Sequence, residues 1–424
     1  MLCLEFSMPD GQVATTEKAV KKPSARLTIS LIIGPACWLM PHQGVMATLL
    51  PQRLNDLAPQ NKVSLLVAFS TVAMVIALIS NIVLGALSDA TRSCFGKRKP
   101  WIVGCSLLSC VVLVAFAYAG SVGALFAWWC VYEIVVNGVA SAMVAQMSDR
   151  VPMRWRGTVS SAYSMGQTAG VQLGVLIAAQ FLSNVRLGIV VFALIALTGG
   201  LVSAALAGEG SNIDEPRSSQ SPVRAFAASL KFPTHGAADF YRVLAARFLQ
   251  ITATSLSSSY MLYIIQDYLH MGTDSAQWLL SANAIIMLVA GLVLSAVIGP
   301  IADRIRKIRV MAGSATLMIA VGAIIPAVMP TPVGLIAFSV VAGVAGGANS
   351  TLSQALSLEV LPNPAAAAKD LGILNLANTL GGVTASAVGA VLIGMWGYAT
   401  VFVGETVFLV ISAICIFSVT RRNV

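Results

Sequence analysis

The sequence predicts an all-α membrane protein, with twelve transmembrane helices in two pseudo-symmetric six-helix bundles. Three observations carry this: an apolar composition, a ladder of bilayer-length apolar stretches, and a set of polar motifs that occurs twice, half a chain apart. Of the 424 residues 57% are hydrophobic and only 10% charged, whereas soluble domains carry about 25% charged residues. Such a chain has too few polar groups to cover a water-facing surface, so lipid is the solvent for most side chains.

A helix needs roughly 18 or more apolar residues to cross the hydrocarbon core. Stretches of that kind lie near 27–50, 63–87, 101–119, 122–147, 158–182 and 187–207, and again near 240–265, 276–300, 309–329, 333–357, 371–395 and 398–420. The chain therefore divides into a tail (1–26), a first bundle (27–207), a linker (208–239), a second bundle (240–420) and a short tail (421–424). The linker opens on Gly208-Glu209-Gly210-Ser211-Asn212, a turn and disorder composition. Within it, Ala225 to Phe232 has the pattern of a short amphipathic helix on the inner leaflet.

The net charge of +9 does not point to nucleic acid, because the basic residues follow topology. Lys18, Lys21, Lys22 and Arg26 in the tail are followed by Arg92 and Lys97 to Lys99, then by Arg150, Arg154 and Arg156, and later by Arg304, Arg306, Lys307 and Arg309. The alternate connections hold only Arg53, Lys62 and Arg186. Basic residues concentrate on the cytoplasmic side. Both termini are expected there, in a bacterial inner membrane, with the lipid bilayer as the main partner. Seven scattered cysteines form no CxxC pair and read as small apolar fillers. The apolar run after Arg26 is too long for a cleaved leader.

The repeated motifs come next. Gly85-Ala86-Leu87-Ser88-Asp89 precedes Arg92 and Arg98; Gly299-Pro300-Ile301-Ala302-Asp303 precedes Arg304; and 214 positions separate the two aspartates. Asp149 with Arg156 answers to Glu359 with Lys369, the two acids being 210 positions apart. A duplicated membrane bundle is the architecture of secondary transporters. Gly85 and Gly299 would allow close approach to a span of the other bundle. Each acid would face a helix N-terminus or a basic side chain, latching the cytoplasmic side. An orientation signal alone, or a solvated loop, is the plainer alternative. Gly166, Gly170 and Gly174 recur on one face of the fifth span, which suits close helix packing or a sliding surface between bundles.

The run Gly85-x-x-Ser88-Asp89-x-Thr91-Arg92-Ser93-x-Phe95-Gly96-Lys97-Arg98-Lys99-Pro100-Trp101 resembles the loop motif of the major facilitator superfamily. Its length is that of the glycoside–pentoside–hexuronide:cation symporters, the sucrose-transporter-like proteins and related actinobacterial members. Tyr260-x-x-Tyr263-x-x-Gln266-Asp267-Tyr268-Leu269 and Lys369-Asp370-Leu371-Gly372 are similar to that group as well. The resemblance implies a twelve-helix major facilitator fold and symport by alternating access. It also implies a cation-site acid on the fourth helix. Ala90 stands where those relatives usually carry a basic residue.

A carboxylate at mid-membrane is expensive and therefore a functional candidate. Glu133, mid-way along the fourth span, is the first; it would hold a proton when closed to water and release it when open. His42 is the second coupling candidate, with a satisfied core histidine as its plain alternative. Glu405, in the last span, is expected at the periphery, and Arg247 is expected to snorkel or to pair within its bundle. Trp38, Asn137, Gln167, Gln172, Tyr260, Tyr263, Asn283, Asn375 and Asn378 are candidates for a substrate path, each with helix–helix glue as its alternative.

No P-loop, GxSxG, HExxH or metal-ligand cluster occurs, so neither an enzyme nor a resident cofactor or metal is expected. The expectation is a monomeric secondary transporter of a small polar solute such as a sugar or glycoside, with proton or sodium as coupling ion. Two rivals remain. One is a drug/proton antiporter, although Gly166-Gln167-Thr168-Ala169-Gly170 lacks the Gly-Pro that such exporters typically carry. The other is a sensor or scaffold that kept the fold without transport.

Overall fold

The structure of the protein, a computed structural model, describes residues 24–151, 155–213, 237–305, 307–360 and 367–420, and for some residues inside the helices the backbone alone. Its helices build twelve spans among the described residues. The first runs Ala25–Gly44, passes through a π turn at Val45–Leu49 and ends as Leu50–Leu57; the second to sixth are Lys62–Ala90, Lys99–Tyr118, Val122–Arg150, Arg156–Ala179 and Val185–Ala207. The seventh is Ala238–Tyr263, again closed by a π turn at Ile264–Tyr268. The eighth to twelfth are Thr273–Ile305, Ile308–Val328, Pro332–Glu359, Ala367–Trp396 and Ala399–Phe417.

Local chemistry sets the helix starts. Ser24, Ser121, Asn184 and Thr331 each accept an N–H of the first turn with the side-chain oxygen, and Pro332 stands where its missing N–H costs nothing. Pro35 and Pro41 lie inside the first span. Proline withdraws a ladder donor, and the ladder re-forms with the wider π spacing just after Pro41 and His42.

The two halves repeat one packing scheme. In the first half, span one packs on five and six, two on four, and three on four and six; in the second half, seven packs on eleven and twelve, eight on ten, and nine on ten and twelve. The halves meet through two against eleven and five against eight. Small polar ties repeat too: Ser30 Oγ donates to the Ser203 carbonyl at 2.8 Å, and Ser412 Oγ donates to the Ala246 carbonyl at 2.8 Å.

Nine helices among the described residues are long and apolar enough to cross a membrane by length and composition. The first, fifth and seventh spans fall outside that set. The first carries Pro35, Pro41, His42 and Gln43, the fifth carries serines, glutamines and glycines, and the seventh carries a serine-threonine run with Arg242 and Arg247. All three contribute to the central cavity, so their polar content has a place to face.

The glycine face of the fifth span decides between its two readings in favour of close packing. A Cβ on Gly166, Gly170 or Gly174 would come 2.2, 2.7 and 2.5 Å from the carbonyl oxygens of Ile32, Ala36 and Met40. These glycines seat the fifth span on the first, inside one half, and are no sliding surface between halves.

Candidate functional site

The halves enclose a cavity of about 830 Å³. The described polar ties that join them gather at the end remote from both termini, hereafter the far end. Tyr263 Oη donates to the Pro51 carbonyl at 3.0 Å, and Gln266 Nε2 donates to Gln52 Oε1 at 2.8 Å. The Lys62 ammonium lies 2.6 Å from Asp267. Gln180 ties to Ser281 at 2.8 Å and to Gln277 at 2.9 Å. The far end is therefore closed.

On the first-half wall, His42 Nε2 stands 3.0 Å from Glu133 Oε1. The two residues are 91 positions apart. Glu133 is 2% exposed. The first span, just before its π turn, and the fourth span supply the two partners, and the imidazole lies among the rings of Trp129 and Tyr132 at 5.8 and 6.4 Å. His42 Nδ1 has no hydrogen-bond partner among the described residues. Asn137 does not line the cavity; its Nδ2 donates to the Glu133 carbonyl at 2.8 Å and to Glu133 Oε2 at 3.3 Å, and its Oδ1 accepts from Asn81 at 2.9 Å. It is a positioning residue for Glu133, one turn along the same helix. A carboxyl with an imidazole in contact and a cavity beside it can pass a proton between the two.

Glu405 is not peripheral. It is 1% exposed, stands on the cavity wall of the second half, and its Oε2 finds no partner among the described residues. A helical wheel cannot reveal this, because the twelfth span is apolar on every side.

Of the expected substrate-path residues, Gln172, Asn283 and Asn378 line the cavity. Asn283 Oδ1 accepts from Ser339 at 2.7 Å, and Asn378 Oδ1 accepts from Arg247 Nε at 2.9 Å. Arg247 also reaches Gln354 and Ser357, so it pairs inside its bundle. Trp38 and Gln167 do not line the cavity. Tyr260 and Tyr263 are fully buried, and their hydroxyls are committed to the carbonyls of Ser386 and Pro51; they brace helices and offer no ring to a solute. The Asn375 side chain lies outside the described residues. Sequence reasoning missed Gln43, Thr48, Ser70, Thr254, Ser257 and Ser386, all on the wall. The run Thr254-Ser255 and Ser257-Ser258-Ser259 was a legible signal, being too polar for a lipid-facing turn.

The loop motif folds within the first half. Arg98, 2% exposed, pairs with Asp89, donates from Nε to Asp149 Oδ2 at 2.9 Å, and donates to Ser88 Oγ at 2.9 Å. Asp149 thus bonds Arg98; the Arg156 side chain lies outside the described residues. Arg92 reaches the Thr91 carbonyl. Among the described residues a Cβ at Gly85 would meet nothing within 4 Å, so none of them approaches closely there. Arg304 and Glu359 are exposed, while Gly299, Asp303 and Lys369 lie, beyond their backbone, outside the described residues.

The first linker residues are ordered, against expectation. Glu209 accepts from the backbone N–H groups of Lys97, Arg98 and Lys99, and Asn212 bonds Ser93 and Thr91. The expected helix from Ala225 to Phe232 lies outside the described residues.

Comparison with known proteins agrees with this architecture. A solved bacterial homologue of the human lysosomal transporter Spinster, inward-facing and occupied, superposes with a TM-score of 0.67 at 16% identity, covering 95% of this chain and 98% of its own. A variant of the nucleoside transporter NupG gives 0.70 at 14% identity, covering 93% and 100%. The peptide transporter POT with alafosfalin gives 0.71 at 14%, covering 92% and 93%. At these identities the likeness is one of fold. No sequence among the curated proteins matches. The Major Facilitator Superfamily profile matches residues 28–236 and 243–424. The chain is a multi-pass membrane protein and belongs to the major facilitator superfamily.

Proposed function

We propose that the protein carries a small polar, non-anionic solute, such as a sugar or glycoside, across a bacterial inner membrane by proton-coupled alternating access. The observation that carries this is the His42–Glu133 pair on the wall of a closed-ended cavity between two repeated halves. No lysine or arginine stands among the described residues lining that cavity, which disfavours phosphates and carboxylates. The second-half wall instead offers Ser and Thr hydroxyls with Asn283 and Asn378, donors and acceptors suited to a hydroxyl-rich solute. Phe338 and His42 are the rings on the wall, so recognition rests on hydrogen bonds more than on stacking. The loop motif's likeness to cation symporters supports co-transport.

With both termini cytoplasmic, as the basic residues favour, the closed far end faces outward and the cavity serves the inside. A proton on Glu133 frees the imidazole, and solute and proton move together as the halves rock. Glu133→Gln would then lose pH-gradient-driven accumulation in proteoliposomes, and a sodium gradient would not replace it. Retained proton-driven accumulation would overturn the coupling role. A thermal-shift screen of sugars, nucleosides, amino acids and drugs, with and without sodium, names the solute.

A second reading has its own support. Met46, Met74, Met261 and Met287 line the same cavity as two carboxylates, and flexible thioethers beside acids suit amphipathic cations. A drug/proton antiporter would protect cells against such compounds, so drug sensitivity of a deletion strain separates the two.

A further inference from the structure

The second carboxylate of the cavity has no part in the pair described above. Glu405 sits on the wall of the half opposite to His42 and Glu133, 1% exposed, with Oε2 unpartnered among the described residues. Among the described residues its environment offers no counter-charge. The twelfth span packs on the seventh, ninth and eleventh. From the seventh, Ser257 is its hydrogen-bonding neighbour, Tyr260 is committed to Ser386, and Arg247 to Asn378. The ninth span carries only Arg309, bonded to the Val419 carbonyl at the other end of the twelfth. The eleventh has no charged residue between Leu371 and Trp396, and the tenth, which also faces the cavity, has none before Glu359. Across the cavity the titratable groups are His42 and Glu133, already engaged with each other.

An ionised carboxyl so placed is costly to keep in a water-poor wall. A proton removes that cost, and water entering an open cavity removes it as well. A merely structural amide or hydroxyl at this position would be expected to find partners for its atoms, whereas Glu405 leaves one buried oxygen without a partner among the described residues. We propose that Glu405 is a second proton-binding site, carried by the C-terminal half, which loads and unloads as the cavity changes sides. It rests on the reading of the cavity as a transport path, and each half then brings its own titratable carboxyl, Glu133 in one and Glu405 in the other. The exchange is a simple protonation, with water in the cavity giving and taking the proton.

The test counts protons on the purified protein and needs no solute, so it stands apart from the flux assay. Infrared difference spectra of reconstituted protein are recorded from about pH 4 to about pH 9, which spans ordinary carboxyl titration. The expected result is a carbonyl band of protonated carboxyl that responds to pH, is missing in Glu405→Gln, and persists in Glu133→Gln. Glu405→Asp, which keeps the acid, should retain a titrating band at shifted frequency; it carries the test if Glu405→Gln fails to show a folded melting transition. A Glu405→Gln spectrum identical to that of the unaltered protein would overturn the proposal. So would a Glu405 band that stays constant at every pH, because the group would then be a fixed hydrogen-bond donor.

Discussion

The Lys62 ammonium lies 2.6 Å from the Asp267 carboxylate and joins the two halves of the molecule at the far end of the cavity. Lys62 is also 4.8 Å from the centre of the Tyr263 ring, and Asp267 accepts the Tyr398 hydroxyl at 2.7 Å. The lysine side chain is 13% exposed and the aspartate 32%. Water reaches this pair in part, so its worth belongs near the upper end of surface pairs, about 1 kcal/mol. Lys62→Gln or Asp267→Asn should favour opening of the far end about fivefold. Spin labels on either side of the far-end closure would report the longer distance. An unchanged distance distribution would deny the pair any gating role.

Arg98 holds two carboxylates and a hydroxyl from two helices, Ser88 and Asp89 on the second span and Asp149 on the fourth. It is nearly inaccessible, while Asp89 and Asp149 are 57% and 36% exposed. Removing a buried partner from an ion pair costs about 3–5 kcal/mol. Here the carboxylates left behind can hydrate, so Arg98→Ala should cost less, about 2 kcal/mol. Arg98→Lys should recover little, because one ammonium cannot span the fork of contacts. Thermal unfolding in one detergent ranks the three proteins.

The glycines divide into those that seat helices and those that do not. Gly166→Ala and Gly174→Ala would place a methyl group 2.2 and 2.5 Å from backbone carbonyls, and backbone cannot step aside as a flexible side chain can. Each should cost about 1–3 kcal/mol. Gly85→Ala and Gly346→Ala meet nothing within 4 Å and should leave the melting temperature unchanged. Gly346 lines the cavity, so its substitution is read in solute binding.

The duplication and the span positions were legible because each is written in contiguous residues. Pairings across the chain were not. Glu133 was visible as an acid in an apolar run, yet nothing in its neighbourhood names His42 as its partner, 91 residues away. The direction a residue faces was equally hidden in the most apolar spans: with hydrocarbon on all sides of the twelfth, Glu405 has no amphipathic stripe to place it. Tyr260 and Tyr263 looked like solute contacts from residue type alone; the carbonyls that take their hydroxyls belong to distant segments.

Glu209 offers the last prediction. Its carboxylate receives the N–H groups of Lys97, Arg98 and Lys99 at 2.7–3.1 Å, where the third span begins at Lys99. The first N–H groups of a helix have no partner within it, and Arg98 as the residue before the helix makes no side-chain cap. An acid from another segment fills that role and meets the positive end of the helix dipole. Gly96 makes the approach possible: its φ of +93° suits glycine, and a Cβ there would lie 2.3 Å from Glu209 Cγ. Glu209→Ala should cost about 1–2 kcal/mol, as a lost cap with charge does. Glu209→Gln should cost less, since one acceptor oxygen remains. Hydrogen exchange is the direct readout. In Glu209→Ala the amides of Lys97 to Lys99 should exchange faster, while those of the fourth span, which Glu209 does not touch, stay protected. Equal acceleration in both would mean general destabilisation and would rule out a local cap.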